Sequence, residues 1–277
     1  MTWGDWGKKL SSYQMQELIE KSFSYGISTF DHADIYGGYT TEADFGNAFK
    51  TCSIDREDLQ FITKCGIQMP CEARPLSVKY YDYSSSHIRF SVENSLRNLK
   101  TEYIDLLLLH RPSPLMDASE ICDVFHKLRE EGKVNQLGVS NFTTPQIKLF
   151  QKEISLNWNQ IECSLSHEIP LFNGVLDYLK TQNIGIMSWS PLGKYFKSDL
   201  PKKRRIKKVI TPLCKKYDCS EAQVLFAWLL KHPSKIYPVV GTTSSERIKK
   251  AIESTKINLD LTDWFLLLEA SMGKPLP

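Results

Sequence analysis

The feature that most constrains this chain is the alternation of short apolar runs with longer stretches of helical spacing, repeated seven or eight times. Because parallel neighbouring strands need a crossover, usually a helix, this alternation predicts an α/β fold with a parallel sheet. The predicted strands are Ser28–Phe30, Leu59–Thr63, Ile104–Leu109, Val134–Val139, Asn157–Ile161, Ile184–Ser188 and Tyr237–Val240. The predicted helices cover residues 12–25, 42–50, 86–99, 118–131, 144–151, 172–182, 204–217, 220–231, 244–253 and 261–270.

Two architectures commonly contain this many parallel strands, an open doubly wound sheet and a closed barrel. The run Ile104–Leu109 (IDLLLL) is almost continuously apolar, as in a strand covered on both faces. An open nucleotide-binding sheet carries GxGxxG after its first strand, and the sequence contains no such run. Polar residues instead follow many different strands, as on the C-terminal face of a barrel. We therefore predict a (β/α)8 TIM barrel that forms a single domain over residues 1–277.

Two helix starts and one long loop stand out in this pattern. Ser220 and Gln223 have the spacing of a capping box. Thr144 before Pro145 fits an N-cap followed by the first helical position. Residues 66–84, after the strand at Leu59–Thr63, form the longest irregular stretch, and a loop at that face is expected to shape a substrate pocket.

Composition excludes several classes of function. The net charge of +3 is too small to indicate nucleic acid as the main partner. The basic run at residues 202–208 has two possible explanations: it forms the solvated first turns of a helix, or it creates a positive field near an anionic cofactor. The seven cysteines are irregularly spaced without a CxxC pair, and no apolar run is long enough to span a membrane. With no signal-peptide pattern, we expect a reduced, cytoplasmic protein without membrane association.

Four polar residues fall at or beside the ends of predicted neighbouring strands. Asp31 directly follows the first strand, Tyr36 lies five residues later, Lys64 follows the second strand and His110 ends the third. All four should therefore point towards one mouth of the barrel. Each alone has a structural explanation: an ion pair, a strand-end lysine, a turn cap or turn packing. Their joint placement favours a catalytic site.

The chemistry of these four groups is complementary for carbonyl reduction, which needs a hydride at carbon and a proton at oxygen. A phenol has a pKa near 10 and donates a proton slowly at neutral pH, but a lysine cation within about 4–6 Å favours its phenolate. A carboxylate beside the lysine keeps the ammonium charged and in place. A neutral histidine can hold the carbonyl oxygen where it receives the proton.

The chain resembles the aldo-keto reductases. The matching segments follow the family's order along nearly the whole chain: residues 31–37 (DHADIYG), 63–64 (TK), 107–112 (LLLHRP), 132–134 (GKV), 137–142 (LGVSNF), 159–162 (NQIE), 189–193 (WSPLG) and 241–243 (GTT). The sequences of residues 31–39 and 270–273 (ASMG) resemble those of a bacterial oxidoreductase branch of the family.

The resemblance implies a (β/α)8 barrel that binds NADP(H), in preference to NAD(H), without a Rossmann motif. It implies that Tyr36 is the general acid, Lys64 its activator, Asp31 the partner of Lys64, and His110 the group that orients the carbonyl. The implied product is an alcohol formed from an aldehyde or ketone.

The resemblance also implies a set of cofactor contacts. Ser140, Asn141 and Gln160 match residues that hold the nicotinamide carboxamide, and Trp189 matches the aromatic that stacks on the nicotinamide ring. Thr2 and Trp3 are implied to border the cofactor. The residues implied to line the pyrophosphate are Ser190, Leu192 and Gly193, and those implied to meet the adenosine 2′-phosphate are Gly241, Thr242, Thr243 and Arg247.

This sequence departs from the family's pattern at three places. Many relatives have a lysine at the position of Gly241, which leaves the 2′-phosphate to Arg247 and Thr242. Lys250 and Ala251 replace an acid–amide pair that contacts adenine in many relatives. Residues 1–4 resemble the second half of the family's first strand, so we expect a shortened first strand, no N-terminal hairpin, and either a truncated chain or a misassigned start codon.

Two other hypotheses belong to different classes. Some barrels of this family bind the cofactor mainly to sense or to assemble, which would make this chain a regulatory protein with little turnover. A cluster of Asp31, His32, Asp34 and His110 could instead hold a metal in a hydrolase, although the HxH pair of such barrels is absent. We predict no metal and a small carbonyl substrate, while the substrate's identity and the oligomeric state are not predicted.

Overall fold

The structure is a computed structural model that describes residues 2–197 and 200–276. Its contacts divide the chain into two compact units. The first contains the residues up to Asn159 together with Gly241–Ser245, and the second contains Gln160–Val240 and the residues from Glu246 onwards. The prediction of a single domain stays a prediction.

The strands of the first unit form a parallel sheet, in which β1 pairs with β2, β2 with β5 and β5 with β6. β7 comes after β6 in the strand order, and its first residues belong to the first unit. Its last residues belong to the second unit, which also contains the next two strands in the order, β8 and β9. The strands are β1 (Thr29–Asp31), β2 (Gln60–Cys65), β3 (Ile67–Gln68), β4 (Tyr80–Tyr81), β5 (Ile104–Leu109), β6 (Val134–Ser140), β7 (Trp158–Glu162), β8 (Gly185–Trp189) and β9 (Ile236–Pro238).

Helices connect these strands and confirm the predicted alternation. They are α1 (Ser12–Ser24), α2 (Thr41–Phe49), α3 (Ser85–Leu99), α4 (Ala118–Glu130), α5 (Thr144–Phe150), α6 (Val175–Thr181), α7 (Pro201–Lys216), α8 (Glu221–Leu230), α9 (Ser245–Glu253) and α10 (Leu261–Met272). Short 3-10 turns occupy Arg56–Asp58, Ile169–Leu171 and Ser254–Lys256.

Aromatic rings pack the first unit around β1, β2 and α2. Phe45 lies 5.2 Å from Phe30 and 5.4 Å from Phe61, measured between ring centroids, and is fully buried. β5 is buried along its length except at Asp105, which pairs with Arg56 at 2.6 Å. The apolar run at β5 is therefore covered on both faces, as its sequence predicts.

The predicted N-terminal strand is absent from the described residues, where Thr2–Gly4 form no strand. Met1 lies outside the described residues. The backbone instead turns back on itself, with the Lys8 amide donating to the Thr2 carbonyl at 2.9 Å and the Leu10 amide to the Trp3 carbonyl at 2.8 Å. Because these bonds occupy backbone groups, the segment satisfies them locally instead of through a strand ladder.

Several predicted boundaries need correction. Asp31 is the last residue of β1, and Lys64 lies within β2, because pairing of β2 with β5 continues to Cys65 opposite Leu109. The loop at residues 66–84 contains an antiparallel pair, β3 with β4. The N-cap of α5 is Thr143, whose capping box with Gln146 places Pro145 inside the first turn. The capping box of Ser220 and Gln223 is confirmed.

The basic run at residues 202–208 lies in the first turns of α7 and is more than a solvated face. Lys202 pairs with Glu168 at 2.9 Å, and Lys207 pairs with Glu221. Arg205 donates to the carbonyls of Ala270 and Ser271 at 2.9 and 3.0 Å. Within the second unit, these contacts use part of the basic run to hold α7 against its neighbours.

Candidate active site

Lys64 is the centre of the candidate site in the first unit. It is fully buried on β2, beside the strand that ends at Asp31. Its Nζ atom donates to both carboxylate oxygens of Asp31 at 2.8 Å and to the carbonyl of His32 at 2.6 Å. Burial lowers the pKa of Lys64, but the Asp31 carboxylate and Tyr36 outweigh it, and the net pKa lies above its ordinary value. Lys64 is therefore a cation at neutral pH.

Tyr36 approaches Lys64 from the loop that follows β1. The Lys64 Nζ atom lies 3.4 Å from the Tyr36 hydroxyl oxygen. The loop turns sharply after the tyrosine, where Gly37 has a φ of +65°. A Cβ atom there would clash with Thr41 Oγ1 and would lie 2.7 Å from Thr40 Oγ1, so both the backbone conformation and the available space favour glycine.

His110 follows β5 directly, and its backbone amide donates to the Cys65 carbonyl at 3.0 Å. Its ring lies edge-on to the ring of Tyr36, with centroids 5.9 Å apart. Burial first, and then the charges of Lys64 and Arg111, hold the pKa of His110 well below its usual value. The imidazole is therefore neutral at neutral pH, and the structure brings all four predicted catalytic residues together.

Ser140 and Asn141, which are predicted to hold the nicotinamide carboxamide, lie at the end of β6 and directly after it in the same unit. The Asn141 side-chain amide donates to Ser140 Oγ at 2.8 Å. Asn141 has a φ of +62°, a left-handed conformation that asparagine tolerates better than most residues. Arg111 Nη1 also reaches Ser140 Oγ, at 3.3 Å.

Thr2 and Trp3 contact the predicted phosphate-binding segment at Gly241–Thr243. Thr2 Oγ1 donates to the Gly241 carbonyl at 3.0 Å, and Trp3 Nε1 donates to the Thr242 carbonyl at 2.9 Å. Trp3 is buried, with its ring 6.2 Å from that of Phe30. These side-chain bonds attach the N-terminal segment in place of a strand ladder.

The second unit contains the remaining predicted cofactor residues. Gln160 is buried on β7, with Nε2 3.9 Å from the sulfur of Met187, and Trp189 is the last residue of β8. Arg247 lies in the first turn of α9. Ser190, Leu192 and Gly193 form the turn after β8, where Ser190 and Gly193 have φ values of +49° and +53°.

The sequence analysis assigned no role to three residues that lie near the catalytic group: Trp6, Tyr83 and Arg111. Trp6, half exposed, lies 6.1 Å from the ring of Tyr36. Tyr83 accepts the Arg111 amide at 3.1 Å and donates to the Arg111 carbonyl at 2.6 Å, which fixes the turn after His110. Position in the loop after the N-terminal segment was the signal for Trp6, and the LHRP motif was the signal for Arg111.

The positions of His32 and Asp34 do not support the hypothesis of a metal-dependent hydrolase. His32 is buried against Phe45 at 4.3 Å between centroids, and Asp34 accepts from Ser91 Oγ at 2.8 Å. Across residues 2–197 and 200–276, no group of three or more His, Cys, Asp or Glu side chains is arranged to hold a metal. Nor does this part of the chain contain a helix long and apolar enough to cross a membrane.

The chain belongs to the aldo/keto reductase family, whose model matches residues 1–270, and it is therefore an oxidoreductase with the (β/α)8 class of fold. It is 40% identical to the oxidoreductase YcsN of Bacillus subtilis over 96% of this chain and 91% of that protein. It is 38% identical to the oxidoreductase YdhF of Escherichia coli, covering 99% and 92%, and 40% identical to a 6-dehydroglucose reductase of Agrobacterium fabrum, covering 95% and 90%.

Solved structures agree with this fold. A thermostable aldo-keto reductase crystallised with the inhibitor epalrestat matches with a TM-score of 0.80 at 25% identity, covering 97% of this chain and 93% of that one. An aldo/keto reductase of Klebsiella pneumoniae, crystallised with NADP and acetate, matches with a TM-score of 0.78 at 21% identity, covering 96% and 87%.

Proposed function

We propose that this chain reduces aldehydes or ketones to alcohols with NADP(H), and that Tyr36 donates the proton. The observation that carries the proposal is the position of the Lys64 ammonium, 2.8 Å from both Asp31 oxygens and 3.4 Å from the Tyr36 hydroxyl. A buried cation beside a phenol stabilises the phenolate that remains after the proton leaves.

Each of the other residues has one task in this proposal. Asp31 holds the ammonium in place and keeps it charged. His110 is neutral and lies beside the Tyr36 ring, so it can hydrogen-bond a carbonyl oxygen without competing for the proton. Proton transfer then runs from the Tyr36 hydroxyl oxygen to the carbonyl oxygen of the substrate.

The donor set in the first unit fits a nicotinamide carboxamide. Ser140 is the last residue of β6 and Asn141 follows it, and their hydroxyl and primary amide can exchange hydrogen bonds with a carboxamide in both directions. The chemistry supplied by this cofactor, when it is bound, is a hydride for the carbonyl carbon. The protein supplies position, charge and the proton.

We further propose the remaining contacts by residue. Gln160 would bind the carboxamide, Trp189 would stack on the nicotinamide ring, and Arg247, in the first turn of α9, would bind the 2′-phosphate that distinguishes NADP from NAD. An aldo/keto reductase of Klebsiella pneumoniae that shares this fold was crystallised with NADP, which supports a nicotinamide cofactor in this family. The pyrophosphate would meet Ser190, Leu192 and Gly193, and the adenosine end Gly241, Thr242 and Thr243.

Tyr36→Phe tests the proposal directly. General acid catalysis contributes about 10²–10⁴-fold to rate, so kcat/KM for NADPH-dependent reduction should fall by that factor while NADPH binding changes little. The panel of substrates should contain simple aldehydes and an oxidised sugar, because two relatives are named 6-dehydroglucose reductase. Tyr13→Phe, an exposed tyrosine on α1, is the matched control.

Two outcomes would contradict the proposal. Residual activity of Tyr36→Phe within about tenfold of wild type would show that the proton comes from another group. Tight NADPH binding by the wild-type protein without turnover of any carbonyl in the panel would favour the regulatory hypothesis.

A further inference from the structure

The N-terminal turn (residues 2–10) carries two tryptophans that differ in exposure. Trp3 is 5% exposed, and its Nε1 atom donates to the Thr242 carbonyl at 2.9 Å. Trp6 is 51% exposed, and its ring lies 6.1 Å from the ring of Tyr36, measured between centroids. Trp3 therefore anchors the turn, whereas Trp6 presents an uncovered aromatic surface beside the proposed proton donor.

Backbone hydrogen bonds close the N-terminal turn on itself. The Gly7 amide donates to the Gly4 carbonyl at 2.9 Å, and the Lys8 amide donates to the Thr2 carbonyl at 2.9 Å. A Cβ atom on Gly7 would clash with the Thr2 carbonyl oxygen, so this close approach needs glycine. Because the backbone around Trp6 is already ordered, a ligand that contacts the indole loses little free energy in ordering it.

Contacts other than that with Trp6 hold the ring of Tyr36 in place. The phenol ring packs against a buried apolar cluster that includes Ile35 and Ile67. Its hydroxyl oxygen lies 3.4 Å from the Lys64 Nζ atom. Removal of the indole should therefore leave the proposed proton donor where it is, and a purely structural role for Trp6 does not account for its position.

The exposed area of Trp6 lies where the body of a substrate has to pass. Among the described residues, two aromatic rings lie against the ring of Tyr36, those of Trp6 and His110. His110 is buried, so it offers a hydrogen bond but little apolar area. A carbonyl oxygen that accepts the Tyr36 proton comes within about 2.5–3.0 Å of the hydroxyl oxygen. The atoms attached to that carbonyl then lie near these two rings, of which Trp6 has the larger exposed area.

We propose that Trp6 is a specificity-determining residue, whose exposed indole covers the apolar face of a ring that carries or adjoins the substrate's carbonyl group. This inference rests on the proposed function, because it names the substrate class of the same site. Aryl rings and sugar rings both have an apolar face, and contact with an indole removes apolar area from water on both sides. Acyclic carbonyl compounds gain less, since a flexible chain also loses conformational freedom when it is held against the indole.

Steady-state reduction of two matched pairs of aldehydes tests the inference. Benzaldehyde is compared with butanal, and 6-dehydroglucose, named in two relatives, is compared with glyceraldehyde, so that each pair contains a ring compound and an acyclic one. Trp6→Ala should lower kcat/KM for the ring compounds by about tenfold, mainly through KM, and should change it by less than about twofold for the acyclic ones. The pair whose ratio changes more shows whether an aryl ring or a sugar ring is the better fit.

Two further variants separate this role from a structural one. Trp6→Phe keeps an aromatic ring and should retain most of the preference for ring compounds. Tyr13→Ala, at an exposed tyrosine on α1, is the control and should leave both ratios unchanged. If Trp6→Ala does not fold, Trp6→Leu takes its place, because leucine keeps apolar volume without an aromatic face.

An equal loss of kcat/KM for ring and acyclic aldehydes, or no loss for either, would overturn the inference. In that case the wild-type protein still reduces the aldehydes, and the proposed function stands. Absence of turnover of all four aldehydes by the wild-type protein would instead overturn the proposed function and this inference together.

Discussion

Replacing Lys64 by methionine removes a buried cation while keeping an unbranched side chain at that position. The lysine is 1% exposed, and its Nζ atom lies 3.4 Å from the hydroxyl that we propose as proton donor. The change therefore acts on the charge beside Tyr36 and leaves the phenol itself in place.

The size of the effect follows from this distance. At 3.4 Å, two unit charges attract by about 5 kcal/mol at an effective dielectric constant of about 20. The Asp31 carboxylate, 2.8 Å from the same ammonium, repels the phenolate and cancels part of that attraction. We expect a net loss of about 3–4 kcal/mol of transition-state stabilisation, which is about 10²–10³-fold in kcat/KM.

The assay is steady-state reduction of a simple aldehyde, followed by the loss of NADPH absorbance, together with the Kd of NADPH from tryptophan fluorescence. Lys50→Met, an exposed lysine at the end of α2, is the matched control and should retain wild-type kinetics. Circular dichroism and thermal melting should show that the Lys64 variant is folded.

Activity of Lys64→Met within about tenfold of wild type would refute the electrostatic role, since the expected interaction exceeds that factor. A fall in activity that is accompanied by an equal loss of NADPH affinity would refute it as well, because the effect would then lie in cofactor binding. Lys64→Arg should also lose activity, because the planar guanidinium cannot replace a compact ammonium in a fully buried site.

Three further predictions concern other parts of the chain. Arg247→Ala should weaken NADPH binding by about tenfold or more while NADH binding changes little, and equal losses measured by fluorescence titration would contradict its proposed role. Burial, and then the charge of Lys64, holds the pKa of His32 well below its usual value, so the unfolded state takes up a proton that the folded state does not as pH falls below about 6.5. When the pH falls from about 8 to about 5.5, the free energy of unfolding should therefore decrease by about 1.4 kcal/mol less in His32→Leu than in wild type. Urea unfolding at both pH values measures this difference, and equal decreases would contradict the prediction. Tyr83→Phe should cost about 1–3 kcal/mol of stability, since it removes two hydrogen bonds to the backbone of Arg111, and an unchanged melting temperature would contradict that.

The sequence by itself determined the elements and their order. Apart from the shortened N-terminal strand, which is absent from the described residues, each predicted strand and each predicted helix is present with boundaries shifted by a few residues. The reason is that hydrophobic periodicity and capping are local signals: the apolar run at β5 and the capping box at Ser220 act over a few residues of chain. The sequence also placed Asp31, Tyr36, Lys64 and His110 near strand ends, from which their meeting could be predicted.

Tertiary structure decided the contacts that join distant segments. The 3.4 Å approach of Lys64 to Tyr36 depends on how the loop after β1 packs against β2, and Lys64 lies inside β2 because that strand pairs with β5 as far as Cys65. The bond of Trp3 to a carbonyl 239 residues away, and the contact of Trp6 with the ring of Tyr36, arise in the same way. Side chains separated by long stretches of sequence interact only after packing has fixed their backbones, and the local sequence does not contain that information.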